Sequence, residues 1–498
     1  METAQLVAKI PGEYMTAFRA FRLVVLLATI LFNGFIYLYP DLLNKSDQCK
    51  WHEFDESSKI KPKNPVLNNL PTQVLEKLLL TFPSLQDNDK WFNNSTHSSD
   101  GYIKDIHMLT FGDPQINGNW PSTPYIKRFD NYGNDYYLGH IYNVMQRRLQ
   151  PSHVAVMGDL FSSQWILDSE FYNRTLRFVE RLFPRSLEYK KTVIDTHSKH
   201  ENYDWRGWLD QEVMMLAQSR FSSRVYNDVY DWVYENHKYP NHHEPLFINL
   251  TGNHDIGYSG DATWQHMARF HHLFGQNNYV IYYNLNSQEQ WRLVVLDSLT
   301  LEGPALQEEF VNYTWQFLDG LEETNKRFNG STILLTHIPF YKEAGLCKDG
   351  PEHIYYENYE PEPYKNGKLR SQNHLSYDTS QKVLDIVFPN PDQGGIILTG
   401  HDHYGCDDWY NYDGSQWIAS KQLNQTTRKS VREIVVQSMM GDFDGQTGLV
   451  SGHYDYNAQS WEFEFSYCSF VVQHWWWAAK ALTVVTILLQ SVGLLFHI

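Results

Sequence analysis

Polar side chains that can bind metal ions follow five apolar runs of the sequence, each at the point where the run ends. The first run ends in Phe111-Gly112-Asp113-Pro114-Gln115, so a carboxylate and an amide stand two residues apart. The other runs end in GDL, GNHD, THIP and GHDH, which contribute Asp159, Asn253, His254, Asp255, His337, His401 and His403. A single Gly-Asp pair is usually a turn, and a lone histidine after a strand is usually a satisfied polar residue. Recurrence after five runs indicates a shared function instead.

The types of these side chains indicate a metal site. Carboxylates, amides and imidazoles together are the ligands that proteins use for divalent cations. The carboxyl ends of strands in α/β sheets open onto one crevice, so residues that follow several strands meet there. The sequence therefore predicts a site for two divalent cations.

The elements that would position these residues are buried strands and intervening helices. Short continuous apolar runs are typical of strands covered on both faces. WRLVVLDS and VREIVVQS have the same character without a terminal ligand set, and residues 170–183 and 210–234 have helical patterns. Together these features predict a layered α/β architecture. A length of 498 residues allows one large domain or two.

The order of the motifs, D-x-(H/Q), GD, GNHD, H and GHxH, closely resembles the calcineurin-like metallophosphoesterases over residues 106–404. The resemblance implies a four-layer α/β sandwich of two mixed β-sheets flanked by helices, with two metal ions at the strand ends. It assigns one metal ion to Asp113, Gln115 and His403, the other to Asn253, His337 and His401, and the bridging position to Asp159. It also implies that His254 contacts the phosphate and that Asp255 orients it, although Asp255 could be simply a turn residue.

Gln115 stands where a metal site more often has histidine. A neutral amide oxygen makes the ligand shell harder than an imidazole would, and this favours Mn²⁺ over Zn²⁺ or Cu²⁺. The expected cofactors are therefore two divalent metal ions, Mn²⁺ first, with Zn²⁺ or iron as alternatives. The other interpretation is that Gln115 is not a ligand.

Two apolar segments have the length of membrane spans, at residues 21–39 and 475–496. The first could instead be a cleaved signal peptide, and the second a buried core helix. Lys9 and Arg19 precede the first segment and Arg22 lies at its start, which predicts a cytoplasmic N-terminus for residues 1–20. A stalk or cap at 40–100 and a catalytic domain at 101–470 would then lie in the lumen of the endoplasmic reticulum (ER) or Golgi.

Cysteines and N-x-S/T sequons fit a lumenal body. Sequons occur at Asn44, Asn93, Asn94, Asn173, Asn249, Asn312, Asn329 and Asn424, and Asn249 lies in an apolar run where modification is not expected. The favoured disulfides are Cys347–Cys406, which flank the candidate site, and Cys49–Cys468, which lie near the membrane; four reduced thiols are the alternative. A net charge of −17 argues against a nucleic-acid partner.

The whole pattern resembles one branch of the family, the ER/Golgi phosphodiesterases that remodel glycosylphosphatidylinositol (GPI) anchors. The features that it shares are two terminal spans and the motifs GDLF, GNHDIGY, THIPFY and GHDHYGC. FGDPQINGNWP looks most like the fungal member that acts on the second mannose. By resemblance the enzyme would remove ethanolamine phosphate from that mannose and promote ER exit of GPI-anchored proteins, its expected partners together with ER-export cargo receptors.

Other functions remain open at this point. The substrate could be the first mannose or another lumenal phosphodiester, and the protein could also be a non-catalytic adaptor for the export of GPI-anchored cargo. Residues 345–377 form a tyrosine-rich polar insertion beside the site and are the candidate for substrate recognition, whereas residues 188–241 form a second insertion.

Overall fold

The computed structural model of the protein describes residues 12–43, 48–52, 54, 64, 67, 78, 104–119, 122–184, 223–227, 229, 245–390, 393–424 and 429–496. Its α-helices are α1 Gly12–Leu43, α2 Tyr125–Leu149, α3 Asp168–Arg177, α4 Asn253–Ile256, α5 Trp264–Phe274, α6 Glu308–Asn325, α7 Tyr377–Val387 and α8 Gln473–Leu495. A π-helical turn, Phe178–Leu182, continues α3. The expected stalk at 40–100, the insertion at 188–241 and the sequons at Asn44, Asn93 and Asn94 lie wholly or largely outside the described residues.

Two large mixed sheets and one small hairpin contain the strands. The strands are β1 Ile106–Phe111, β2 His153–Val156, β3 Ser223–Tyr226, β4 Leu246–Asn249, β5 Tyr279–Tyr283, β6 Trp291–Val295, β7 Ser331–Leu335, β8 His353–Tyr355, β9 Leu369–Gln372, β10 Gly395–Thr399, β11 Cys406–Tyr412, β12 Trp417–Ser420, β13 Ser430–Val435, β14 Thr447–Asp455 and β15 Ser460–Cys468. Their orders are β15-β14-β1-β2-β4, β12-β11-β13-β10-β7-β6-β5-β3 and β8-β9. The helical prediction for 210–234 is wrong at Ser223–Tyr226, which pairs with β5 as a strand.

Successive side chains along each strand face opposite sides of its sheet, and both sides of each sheet are covered, which produces four layers. Ile106 and Met108 of β1 face a core shared with β7 and β10 of the other sheet, so this core lies between the sheets. Leu109 and Phe111 point the other way, and the Phe111 ring packs on Tyr142 of α2. Because β7 and β10 likewise place alternate residues against α6 and α7, helices cover both outer faces. The predicted sandwich of two mixed sheets flanked by helices is confirmed.

The central strands explain why one edge carries the chemistry. β1, β2 and β4 run parallel in one sheet, and β7, β10 and β13 run parallel in the other. Parallel strands deliver their carboxyl ends to the same edge. A bridge between Gly112 and Ser438 joins the continuation of β1 to that of β13, so the two edges meet.

Two described helices, α1 and α8, are long and apolar enough to span a membrane. They pack side by side through polar pairs: Arg22 donates to Gln490 at 2.6 Å, and Asn33 donates to Thr483 at 2.9 Å. Between them Thr29 and Thr486 share a hydrogen bond of 2.5 Å. Such pairs are common between helices in lipid, where an unpaired polar side chain has no water to bind.

Both expected disulfides are present. Cys49–Cys468 ties the segment that follows α1 to the end of β15, and Cys347–Cys406 ties the insertion at 345–377 to the start of β11. The alternative of four reduced thiols is therefore excluded. Sequon asparagines within the described residues are exposed at Asn173, Asn312, Asn329 and Asn424, whereas Asn249 is buried in β4.

Candidate active site

The seven expected metal ligands converge at the edge where the two sheets meet. Asp113 and Gln115 follow β1, Asp159 follows β2 and Asn253 begins α4 after β4. His337 follows β7, and His401 and His403 follow β10. Asp113, Gln115, Asp159 and His401 adopt positive φ angles of 42°, 42°, 49° and 74°. Such angles are strained for residues other than glycine, and strained residues cluster at functional sites.

The first donor group contains Asp113, Gln115, Asp159 and His403. Oxygen or nitrogen atoms of Asp113, Asp159 and His403 all lie within 4.8 Å of one another. The Gln115 amide lies 3.2 Å from Oδ2 of Asp159 and 3.1 Å from Nε2 of His403. Turning this amide by 180° exchanges its nitrogen and oxygen without moving other atoms, so either can face the group.

The second donor group contains Asn253, His337 and His401. His337 Nδ1 donates to the Met157 carbonyl at 2.7 Å, which leaves the lone pair of its Nε2 facing Oδ1 of Asn253 at 3.1 Å. That same Oδ1 lies 3.0 Å from Nδ1 of His401.

These distances fit divalent cations. With the Asn253 amide oriented as in the structure, the lone pairs of its Oδ1 and of His337 Nε2 face each other with no hydrogen between them, an arrangement that a shared cation would satisfy. Two neighbouring ligands of an octahedral cation with bonds of about 2.1 Å lie about 3.0 Å apart, close to the separations here. Asp159 is within reach of both groups, since its Oδ1 lies 3.5 Å from Nε2 of His337.

Burial tunes the protonation of these groups. It lowers the pKa of His337, and it lowers the pKa of His401 to about 3, so both imidazoles keep a lone pair for binding. Burial and then the charge of Asp159 raise the pKa of Asp113 well above its usual value. For Asp159 burial is again the largest effect and acts in the same direction, but the surrounding histidines and the hydrogen bond from the His254 backbone N–H together outweigh it and lower the pKa of the carboxyl. Two adjacent buried carboxyl groups favour a cation between them.

His254 and Asp255 lie beside the metal-binding groups with different surroundings. The His254 side chain is 38% exposed, and its Nε2 lies 3.8 Å from Oδ2 of Asp159, so it faces the mouth of the site. Asp255 is buried and accepts hydrogen bonds from the backbone N–H groups of Gly252, Leu160 and Phe161. These contacts make Asp255 a clamp between the loops after β2 and β4, through which it positions His254. A residue that only formed a turn would lack these tertiary contacts.

Comparisons with known proteins agree with this geometry. No family model matches the chain. Protein TED1 of Saccharomyces cerevisiae is 48% identical over 477 residues, which cover 94% of this chain and 96% of TED1. Metallophosphoesterase 1 of Xenopus laevis is 26% identical over 184 residues, 33% of this chain and 43% of that protein. Cell division control protein 1 of S. cerevisiae is 25% identical over 263 residues, 51% of this chain and 48% of that protein.

The chain belongs to the TED1 family of metallophosphoesterases. The resemblance found in the sequence motifs is thus confirmed, and the protein is a metal-dependent phosphoesterase. Its cofactors are divalent metal ions, and the Asp113, Asp159 and His403 side chains offer a place for one of them.

Further residues of this metallophosphoesterase support the site, and the motifs gave no sign of them. Ser438, after β13, donates its hydroxyl hydrogen to the Asp113 carbonyl at 3.1 Å. Asp297, after β6, accepts from the Thr251 hydroxyl at 3.0 Å and so steadies the loop that carries Asn253. The only sequence signal is their position: each follows an apolar run, the pattern already seen for the ligands.

The insertion at 345–377 forms one side of the mouth. The Tyr258 ring stands 6.2 Å from the His401 ring, and two residues further on the Gly260 N–H donates to the Leu369 carbonyl of β9 at 3.0 Å. The Lys348 ammonium of the same insertion lies over the ring of Tyr404, the residue directly after the GHDH motif. The metallophosphoesterase site is therefore bordered by a loop that the Cys347–Cys406 disulfide holds in place.

Proposed function

We propose that this metallophosphoesterase is a phosphodiesterase that removes ethanolamine phosphate from a mannose of the GPI-anchor glycan, with the second mannose as the substrate position. The motif set shared with the GPI-remodelling branch supports this reaction, as does the resemblance of FGDPQINGNWP to the fungal second-mannose enzyme. Two terminal helices that could span a membrane fit a lipid-linked substrate.

The observation that carries the proposal is the facing pair of lone pairs on His337 and Asn253, joined through Asp159 to a second donor group. Two divalent cations held by these groups would supply an activated water and would neutralise the charge that develops during in-line displacement at phosphorus. Asp113, Gln115 and His403 would bind one cation. Asn253, His337 and His401 would bind the other. Asp159, within reach of both groups, would set their separation.

The remaining steps fall to side chains at the mouth. His254 is exposed, and its backbone N–H donates to Oδ1 of Asp159 at 2.8 Å, so its ring is held beside the site while staying accessible to substrate. We assign His254 to protonating the mannose oxygen as it leaves, a role worth roughly 10²–10⁴-fold in rate. Asp255 keeps the turn that carries His254 in place.

We propose Mn²⁺ as the physiological cofactor, with Zn²⁺ or iron as alternatives. The Gln115 amide oxygen is a harder ligand than imidazole and makes its group more suitable for Mn²⁺ than for Zn²⁺. Metal titration of the purified protein, read by activity and by bound metal, would test this assignment.

The proposed setting is the ER membrane with the catalytic body in the lumen. Residues 1–20 would be cytoplasmic, 21–39 and 475–496 would span the bilayer, and 40–100 and 101–470 would be lumenal. The basic residues Lys9, Arg19 and Arg22, before and at the start of the 21–39 span, support this orientation, and disulfides fit an oxidising compartment. The partners proposed are GPI-anchored proteins, whose trimming would promote their exit through ER-export cargo receptors.

The proposed recognition element for the ethanolamine group is Asp349 in the loop at 345–377. Ethanolamine carries an ammonium group, which a nearby carboxylate attracts. The Asp349 carboxylate acts electrostatically on His403 and on Tyr258, both at the metal site. Asp349 is thus within range of a substrate bound there.

Activity of the detergent-solubilised protein on a model phosphodiester tests the enzymatic part of the proposal. Turnover should require Mn²⁺, disappear with EDTA and be absent in an Asp159→Asn variant. Turnover that survives EDTA, or that Asp159→Asn retains in full, would refute the assigned role of the site and favour the export adaptor.

Mass analysis of GPI glycans in cells tests the substrate. Cells that carry only His254→Ala should retain ethanolamine phosphate on the second mannose, whereas cells with the wild-type protein should not. Retention on the first mannose would reassign the position, and unchanged glycans would refute the proposed substrate while leaving the phosphodiesterase assay unaffected.

A further inference from the structure

Helix α2 crosses both candidate membrane helices where they meet the catalytic body. The Phe129 ring lies 4.8 Å from the Trp477 ring of α8. Gly133 also contacts the Trp477 side chain. Seven residues further along α2, the His140 ring lies 4.7 Å from the Tyr37 ring of α1. Seven helical residues span about 10 Å, which matches the spacing of two packed helices. Helix α2 therefore lies across the pair.

The first turns of α2 extend beyond this crossing and expose a set of large apolar side chains. Tyr125 and Ile126 are each 86% exposed, and Phe129 is 62% exposed. They lie at i, i+1 and i+4, and Gly133, which contacts Trp477, lies at i+8, so all four share one face of the helix. We call Tyr125, Ile126 and Phe129 the α2 patch.

The neighbours of the α2 patch identify what covers it. Phe129 touches Trp477, and Trp475, Trp476 and Trp477 stand at the start of α8, where that helix enters its apolar stretch. Tryptophan and tyrosine are enriched at the headgroup level of a bilayer. The patch is thus continuous with the aromatic belt of a membrane helix, at the same level along it.

We infer that the α2 patch is a third membrane contact, in which Tyr125, Ile126 and Phe129 enter the interface of the bilayer beside α8. The inference rests on the membrane anchoring in the proposed function but not on its catalytic part. Amphipathic helices with aromatic and aliphatic side chains on one face lie in this way, with that face about 5–10 Å into the headgroup and acyl boundary. Lys127 lies about 150° around the helix from the patch and pairs with Asp130 at 3.0 Å, so the charged side of this helical turn faces away from the lipid.

The contact would fix the height of the metal site above the bilayer. Asn131 of α2 donates to the Gly118 carbonyl at 2.9 Å and to Oδ1 of Asn119 at 2.8 Å. Those residues continue the loop that carries Gln115. The helix on the membrane surface and the loop of the first donor group are therefore one connected unit, so the patch would set the distance between the bilayer and the site.

Contact with lipid can be measured by quenching in nanodiscs. The four cysteines of the chain all lie in disulfides, so a single new cysteine can be labelled with a small fluorophore. The full-length protein would carry Ile126→Cys, or Val485→Cys, whose side chain is exposed on α8, or Ile418→Cys, whose side chain is exposed on edge strand β12. Each would be compared in nanodiscs made with ordinary lipid and with lipid brominated on its acyl chains.

We expect brominated lipid to reduce fluorescence at positions 126 and 485 but not at 418. Quenching at 485 without quenching at 126 would overturn the inference, since the patch would then face water. Absence of quenching at 485 would also overturn it, because α8 would then lie outside the bilayer. Both results are independent of phosphodiesterase activity, so they are distinct from a failure of the proposed reaction.

Discussion

Gly252→Ala tests whether the two halves of the site are packed as closely as the structure shows. A Cβ atom at Gly252 would stand 2.0 Å from the backbone nitrogen of Asp159 and 2.2 Å from its Oδ1. Ordinary contacts of a Cβ begin at 3.4 Å. The loops after β2 and β4 would thus have to separate by more than 1 Å, and Asp255, which hydrogen-bonds both of them, opposes that movement.

The size of the effect follows from this displacement. Overpacking of a buried contact costs about 1–3 kcal/mol of folding free energy. Misplacing reacting groups by about 1 Å lowers the rate about 10²-fold. Because the displaced residue is Asp159, the common member of both donor groups, we expect the bound metal to fall together with the rate.

Three measurements on the purified protein check this prediction: kcat/KM on a model phosphodiester, metal bound per chain and melting temperature. Gly34→Ala is the matched control, because it makes the same chemical change in α1, where no atom other than the adjoining backbone of that helix lies within 4 Å of the new Cβ. If Gly252→Ala keeps its metal and stays within about twofold of wild-type kcat/KM, the proposed contact between the loops is wrong.

Three further predictions concern other parts of the chain. Gln115→His should raise affinity for Zn²⁺ by about tenfold relative to Mn²⁺, because imidazole suits Zn²⁺ better than an amide does; competitive metal titration measures this. Asp349→Asn should raise KM for an ethanolamine phosphodiester and leave KM for a diester without an ammonium group unchanged, as steady-state kinetics would show. Burial raises the pKa of Asp408 to about 7. Since that folded-state pKa lies above the unfolded value of about 3.9, its stabilising contribution is complete below about pH 4 and lost as pH rises to 7. Asp408→Asn should therefore raise the melting temperature at pH 7.5 but not at pH 4; equal effects at both values would contradict the assignment.

The sequence allowed prediction of the strands that carry the ligands, because each is a short apolar run with its polar residue directly behind it. The local sequence pattern does not indicate the order in which the strands pair in a sheet. β14 pairs antiparallel with β1 although more than 330 residues separate them along the chain, and the pairing depends on packing of Val450 against Met108 rather than on any local signal.

Supporting residues were missed for the same reason. Ser438 and Asp297 act through hydrogen bonds to residues far away in the chain. Nothing in the local sequences Ser438-Met439-Met440 and Leu296-Asp297-Ser298 indicates those contacts. The role of α2 was also hidden. No helix was predicted here from the sequence, and only the contacts of Phe129 and His140 with α8 and α1 reveal its relation to the membrane helices.

The positive φ angles of Asp113, Gln115, Asp159 and His401 explain how the ligands are held in place. Each left-handed residue other than glycine costs about 1–2 kcal/mol, so four of them in one site require compensation. The chain supplies it through its own groups: the Gln115 N–H donates to the Asp159 carbonyl at 2.9 Å, and the His401 N–H donates to the Asp113 carboxylate at 3.2 Å. Because these bonds join one ligand residue to the next, the strain of each is offset by its neighbour, and the donor groups are arranged before a cation binds.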